Sequence, residues 1–201
     1  MEYFPESVLP DSMNINLRAN NKSFTSSLNG SQRTANFMGD KWLASLSFNN
    51  LDNFEKPEIE ILQSFIWSLR GINGRFKMWN FTKRGAPALG TPLVDGFTNT
   101  GGICNTKGWH PNRVVLKQGD FIELNNELKM ITKDIVTSVS GDATIYFVPP
   151  IRNIPIDNEP IITNKPCGVF RLADDDQGDF SLTAGLEGTL TLELIEAIYV
   201  Q

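Results

Sequence analysis

The sequence has few of the residues that usually carry out catalysis or hold metal ions. Its 201 residues include one histidine and two cysteines. Cys104 and Cys167 are too far apart for a metal-binding pair and too few for a disulfide framework. Two free thiols are the favoured state, although a single bridge stays open. The sequence therefore predicts no metal site and no cofactor, and it predicts that the protein is not an enzyme.

Long apolar runs and an excess of basic residues are also missing. No apolar stretch approaches the roughly 18 to 20 residues that cross a bilayer, which argues against direct membrane insertion. The formal net charge is −5, which argues against a protein that grips nucleic acid by its phosphates. Hydrophobic residues make up 40% and charged residues 20% of the chain. That composition is typical of a globular protein with a sizeable core.

Two short segments contain residue types that occur in catalytic or cation sites. His110 follows Cys104 by six residues, but the glycine-rich segment offers no third group to orient a Cys–His pair. A loop histidine is the favoured interpretation. Acidic residues lie at 174–176 and 179, yet the twelfth position from Asp174 is Gly185, where an EF-hand needs a glutamate. A solvated hairpin tip is the favoured interpretation there.

Short alternating segments dominate the chain and predict a mainly β fold. Apolar residues alternate at 13–17, 41–48 and 189–198, which is typical of half-buried strands. Residues 57–70 repeat apolar positions at helical spacing and predict one helix, with Asp52 or Asn53 as its cap and Arg70 followed by Gly71 at its end. Residues 18–36 are polar. They fit either an exposed hairpin or a segment that becomes ordered only against a partner, such as a subunit-bridging arm.

The second half of the chain predicts a small barrel. Residues 83–112 show neither a helical nor a strand period and are predicted to be linker and loop. Five strand segments follow, separated by turn signals, at 114–116, 121–124, 128–131, 135–136 and 143–148. Five short strands in about forty residues fit a small closed or half-closed barrel. Pro149 and Pro150 end it, because neither can donate a hydrogen bond to a neighbouring strand.

Charge is unevenly distributed along the sequence. Five basic residues and no acid lie between positions 70 and 84, whereas seven acids and no base lie between 174 and 196. Two ordinary solvated faces would explain this. An assembly surface is the functional alternative, in which the basic stretch of one subunit meets the acidic stretch of the next. A third interpretation places part of the acidic segment in a channel through which DNA slides without sticking.

Several short sequence segments, taken in order, resemble those of tail proteins of long-tailed bacteriophages, in particular distal-tail or tail-tip hub proteins. The first three are Lys41 to Phe48 (KWLASLSF), Ser68 to Phe76 (SLRGINGRF) and Gly119 to Leu124 (GDFIEL). The others are residues 143–152 (ATIYFVPPIR) and the closing segment from Phe170 to Ala197. The likeness spans roughly residues 37–198 and consists of strand, helix and turn strings rather than an active-site signature.

The resemblance implies a tail-tube-like β-sandwich with one flanking helix and a small inserted OB-like barrel. Residues 1–82 plus 155–201 would form the ring domain, and residues 90–152 the insert. The implied function is structural: a ring-forming subunit links the tail tube to the tip or receptor-binding apparatus and leaves a channel for DNA. The implied location is the virion, after synthesis in the host cytoplasm.

The resemblance also implies the partners. The chain is expected to form a homo-oligomeric ring, a hexamer by this likeness, and to contact other tail proteins of the tube, the tip or hub, and the fibres. DNA would be met only in transit. No catalytic residues come with the family. The alternative function is a carbohydrate- or protein-binding accessory module of the virion.

Two sets of residues are predicted to carry these contacts. The strands at 41–48 and 189–198 are predicted to be channel-facing or edge-pairing. The predicted interface or channel residues are Trp42, Leu46, Arg75, Lys77, Asp174, Asp175, Leu192 and Leu194. The accessory-module alternative relies on stacking surfaces in the insert, although core packing is the favoured explanation for those aromatics, which are Trp109, Phe121 and Tyr146.

Overall fold

The computed structural model describes residues 1–37, 39–52, 56–97, 99–182 and 187–198. Strands dominate it, so the predicted mainly β fold is confirmed. In chain order the elements are β1 (Glu2–Tyr3), β2 (Ser12–Arg18), β3 (Asn21–Thr25), β4 (Gln32–Asn36), β5 (Lys41–Asp52), α1 (Glu58–Leu69), a 3-10 turn (Gly71–Asn73), β6 (Phe76–Trp79), β7 (Gly90–Val94), β8 (Ile103–Trp109), β9 (Val114–Leu116), β10 (Phe121–Leu124), β11 (Glu127–Ile131), β12 (Ile135–Val136), β13 (Ala143–Val148), β14 (Cys167–Leu172), β15 (Ser181–Leu182) and β16 (Glu187–Glu196).

A seven-stranded sheet joins strands from both ends of the chain. Its order is β1-β6-β14-β16-β5-β2, and β15 pairs with β16. The two long strands predicted at 41–48 and 189–198 are present as β5 and β16, and they pair antiparallel with Leu46 opposite Leu192. Both strands lie inside the sheet, so the prediction that they pair at an edge is wrong. The outer strands are β1 and β2.

One face of this sheet carries the larger hydrophobic core. Side chains at even positions of β5 and β16 point to one face because successive residues of a strand alternate. They pack with α1 and with aromatic residues of neighbouring strands, each buried side chain contributing about 1.5–3 kcal/mol to folding. The core includes Leu46, Phe48, Leu62, Phe76, Phe170, Leu192 and Leu194.

The helix α1 matches the predicted segment but begins differently. Its buried side is the predicted apolar stripe, with Ile59, Leu62, Phe65, Ile66 and Leu69. Pro57 occupies the N-cap position and makes no side-chain cap bond. The predicted cap Asp52 ends β5 instead, and Asn53 lies outside the described residues. Arg70 adopts the left-handed conformation with φ of 53°, and this ends the helix.

The second large sheet curls into a half-barrel. Its order is β10-β11-β13-β8-β7, and β9 and β12 form a separate two-stranded ribbon. The five predicted strands are all present and the half-barrel is confirmed, but only three of the five belong to it, because β9 and β12 are replaced there by β7 and β8. The prediction that residues 83–112 contain no strand is wrong, because β7 and β8 lie there. Gly90 and Gly108 interrupt the alternation of apolar and polar side chains that would indicate these strands. Both have positive φ, and a Cβ on Gly90 would lie 2.4 Å from the carbonyl oxygen of Gly108.

Residues 21–36 form the exposed hairpin that was one of the two sequence alternatives. β3 and β4 pair antiparallel, with Asn21 opposite Asn36. They form a two-stranded sheet of their own. All five residues of β3 are exposed, so this hairpin has no hydrophobic core.

Candidate assembly surface

The face of the seven-stranded sheet opposite the core is open to solvent and polar. Odd positions of β5 and β16 and even positions of β2 point to this side, as alternation along the strands requires. The side chains there are exposed or half-buried. Most are small hydroxyl or amide groups, including Asn14, Asn16, Ser45, Ser47 and Thr191. Glu193 is an acid among them. We call this surface the open face.

The open face ends at an unpaired strand. β2 pairs with β5 along all seven of its residues and is the last strand in the sheet order. Its outer edge therefore has no strand partner within the described part of the chain. An edge of this length presents a row of backbone donors and acceptors that a neighbouring chain can pair with.

The β3–β4 hairpin lies beyond the end of the β2–β5 pair, where Arg18 is opposite Lys41. It begins three residues after Arg18, the last residue of β2. At its base, the backbone N–H of Asn20 donates to the Asp40 carboxylate at 2.8 Å. Its large apolar side chains are uncovered: Phe24 is 57% and Leu28 97% exposed. An isolated two-stranded hairpin is only marginally stable in water, so packing on another surface would stabilise this one.

Four of the predicted interface residues are buried inside the subunit. Trp42, Leu46, Leu192 and Leu194 are each at most 3% exposed and belong to the core under the sheet. They occupy the even positions of β5 and β16, which face α1 rather than the open face. The prediction that their side chains contact a neighbour or a channel is corrected accordingly.

The charged members of that predicted set lie in different places. Arg75 is half-buried on the open face, whereas Lys77 forms an ion pair within the chain. Asp174 and Asp175 lie in an exposed turn after β14. Asp175 has a local role, because its Oδ1 accepts the backbone N–H of Ile72 at 2.9 Å. Contacts of these residues with a neighbour stay predictions.

The aromatic residues predicted to stack on a ligand are not free to do so. Trp109 is buried, and its indole N–H donates to Thr106 Oγ1 at 2.8 Å. Phe121 is buried against Trp42, with ring centroids 5.7 Å apart. Tyr146 is half-buried, and the ammonium of Lys133 lies 3.2 Å from its ring centroid. Core packing accounts for the first two, and the cation contacts the ring of the third.

An ion pair joins the half-barrel to the large sheet. Lys77 on β6 lies 2.8 Å from Glu123 on β10. Glu123 also accepts the backbone N–H of Cys167 at the start of β14, at 3.0 Å. Burial lowers the pKa of Lys77, but the hydrogen bond and the attraction to Glu123 outweigh burial and raise the pKa above its ordinary value.

A second and larger polar cluster joins the two sheets at β11 and β16. The guanidinium of Arg152 forms a two-pronged ion pair with Glu196 of β16. Lys129, fully buried on β11, lies 2.5 Å from Glu127. Burial lowers the pKa of Lys129 to about 8, against the opposing attraction of Glu127. Trp42 of β5 also links the two sheets, since its indole N–H donates to the carbonyl of Leu128 on β11 at 2.9 Å. We call this contact and the ion pairs of Lys77, Lys129 and Arg152 the joint between the sheets.

Sequence reasoning missed this joint. The one available signal was the presence of Glu123, Glu127 and Lys129 inside strands that are otherwise apolar. All three are buried, and buried charges require partners. Glu127 and Lys129 pair with each other two residues apart, but Lys77 and Arg152, which link these strands to the large sheet, lie far away in the chain, so no local pattern pointed to those pairs.

No family model matches this sequence, and no curated protein matches it.

The remaining chemical groups do not form a reactive site. Cys104 and Cys167 are both free and buried, as the favoured interpretation expected, and burial raises the pKa of each thiol to about 12. In the described ranges, no three His, Cys, Asp or Glu side chains are placed to share a metal ion. None of the helices described there has the length and apolar character to span a membrane.

Proposed function

We propose that this chain is a ring-forming structural subunit of a bacteriophage tail, of the distal-tail or tail-tip hub kind. It would link the tail tube to the tip or receptor-binding apparatus and leave a channel for DNA. The observation that carries the proposal is the asymmetry of the large sheet. One face is packed on a core, while no described residue covers the open face, the outer edge of β2 or the hairpin.

Ring closure would cover the β2 edge and the hairpin in one step and leave the open face toward the channel. A contact between the β2 edge of one copy and the β1 edge of the next would be heterologous, because it joins two different surfaces. Heterologous contacts grow without limit unless the rotation between copies closes. The β3–β4 hairpin, which lies beyond the end of the β2–β5 pair, is placed to reach over the neighbouring copy and to bury Phe24 and Leu28.

The open face suits the wall of a DNA channel. Its middle rows carry hydroxyl and amide side chains and one acid, Glu193. Such a surface presents no large apolar patch to which a passing polymer would adhere. The half-barrel would stand outside the ring, held by the joint between the sheets.

Size-exclusion chromatography with light scattering, followed by negative-stain imaging, tests the proposal. The wild-type chain is expected to form rings of one defined order. A variant with residues 22–35 replaced by a short glycine–serine link should be monomeric, with an unchanged urea unfolding midpoint for the remaining fold. Val139→Ser, which alters an exposed apolar residue of the half-barrel, is the control and should still assemble. A monomeric wild-type chain would contradict the proposal.

A further inference from the structure

We propose that Lys41, Arg75 and Arg171 form a contact site for the phosphodiester backbone of DNA. This inference rests on the proposed function, because it assigns a role to one end of the open face. The three side chains line a shallow cavity of about 220 Å³, together with Ile195, Ala197 and Ile198. We call these three residues the cationic cluster.

The register of the sheet brings the cluster together. Phe76 pairs with Phe170 across β6 and β14, so Arg75 before it and Arg171 after its partner are neighbours on adjacent strands. Arg171 pairs with Ile195, and Ile195 pairs with Leu43 of β5. Lys41 lies two residues from Leu43, on the same side of the sheet.

No acid within the described residues neutralises the cluster. The ion pairs of the chain involve other cations. The Arg75 guanidinium donates to the carbonyl of Asn73 at 2.7 Å, and that of Arg171 to the carbonyl of Leu172 at 2.8 Å. Glu196 borders the cavity, but its carboxylate is bound by Arg152. Like charges repel, so a bound anion would stabilise this arrangement.

The guanidinium of Arg75 has donors that the chain does not use. Its Nη1 donates to the carbonyl of Asn73, and its buried Nε has no hydrogen-bond partner among the described residues. Because the Nε is closed off from solvent, an anion in the cavity would meet this guanidinium through its terminal nitrogens.

The position of the cluster favours DNA phosphate over carboxylate. It lies at one end of the open face, which we propose to line a DNA channel, and proteins contact DNA phosphates through arginine and lysine together with serine, threonine and asparagine side chains. Farther across the same face the side chains are amides and hydroxyls, with Asn16 opposite Leu43 and Asn14 opposite Ser45. In a ring, every copy repeats the cluster and makes a belt around the channel.

The net charge of the chain keeps this contact weak. At −5 the whole molecule repels DNA, but at about 0.1 M salt charges act over only about 10 Å. The cluster therefore attracts phosphates locally, while the rest of the surface does not. Such a contact can hold a DNA end in the channel and still release it.

Fluorescence anisotropy with a labelled DNA duplex at low salt tests the inference. The variant carrying Arg75→Gln and Arg171→Gln should bind at least about tenfold more weakly than wild type. The slope of the logarithm of the DNA association constant against the logarithm of salt concentration should be less negative by about 2. Each lost phosphate contact removes about 1 from this slope. The matched control carries Arg113→Gln and Lys117→Gln, which remove the same charge from the exposed end of the half-barrel, and it should bind like wild type.

The outcomes separate this inference from the proposed function. Equal losses in the two double variants would show a general charge effect and would overturn the site. Equally tight binding of polyglutamate would assign the cluster to a carboxylate-bearing partner, such as the acidic turn of another copy, and would also overturn it. Ring assembly, measured on the same samples, tests the proposed function separately. If the double variant fails to fold, Lys41→Gln alone replaces it and should lower the salt dependence by about 1.

Discussion

The large sheet and the half-barrel contain strands that differ in how many of their side chains are buried. In the seven-stranded sheet, strands bury one face and leave the other polar and open, as β5 shows with its strict alternation of buried and half-buried residues. In the half-barrel, β10 is buried at all four positions. The strand β10 is thus covered on both faces, whereas β5 has one covered and one open face. Surfaces that need a second copy are concentrated on the large sheet.

The polar residues of the two sheets differ for the same reason. On the open face, hydroxyl and amide side chains remain in contact with water and need no partners. In the half-barrel, Glu127 and Lys129 are buried and must be paired. Glu127 and Lys129 pair with each other, and Arg152, which contacts both Glu127 and Glu196, fixes the half-barrel against the large sheet. We expect the open face to tolerate substitution and the joint to resist it.

The largest effect is expected on the packed face of the large sheet. Leu192→Asp places an unpaired charge in the core and should lower the free energy of unfolding by at least about 4 kcal/mol. Urea unfolding followed by far-UV circular dichroism measures this. Thr191→Asp, one residue away on the open face, should change it by less than about 0.5 kcal/mol. Similar losses in the two variants would mean that the two faces do not differ as described.

A smaller effect is expected at the joint between the sheets. Arg152→Met leaves the buried carboxylate of Glu196 without its cation and should cost about 3 kcal/mol, whereas Glu127 keeps Lys129 as a partner. Adding Glu196→Gln removes that unpaired charge. The double variant should therefore lose less than the sum of the single losses, with a coupling of at least about 1 kcal/mol in a double-mutant cycle. Additive losses would show that the pair does not hold the sheets together.

A third effect concerns pH and Lys129. Its folded pKa of about 8 lies below the ordinary value of 10.5, so between these pH values the unfolded chain binds more protons than the folded one. Stability contributed by this group must then rise as pH increases from about 8 to 10.5. The two thiols act in the opposite direction above pH 9.

The difference in unfolding free energy between wild type and Lys129→Met isolates the lysine, because the thiols are common to both proteins. This difference should move in favour of wild type between about pH 8 and pH 10.5. A flat difference over that range would show that the folded pKa of Lys129 is not lowered.

Much of the fold followed from local patterns. The apolar stripe at 57–70 predicted α1 because a helix needs only residues that are close in sequence. The alternation at 41–48 and 189–198 predicted β5 and β16 for the same reason. The strands β7 and β8 were missed, since Gly90 and Gly108 allow two backbones to approach closely and leave no side chain to show the period.

The site was predicted less well than the fold. Arg75 was identified from its charge and does lie on the open face, but Lys41 and Arg171, which complete the cationic cluster, were not. Leu192 and Leu194 were placed in an interface because alternation gives two faces and cannot say which one the core occupies. That decision depends on where α1 packs.

The sequence by itself determined which segments are strands, which one is a helix, and that hydroxyl and amide groups line one side of two long strands. Only the tertiary structure decided that those two strands are central, that β2 is the open edge, and that charges 44 residues apart in Arg152 and Glu196 meet in a buried pair. The reason is physical: period and turn chemistry act over a few residues. Strand order and ion pairing depend on how distant segments pack.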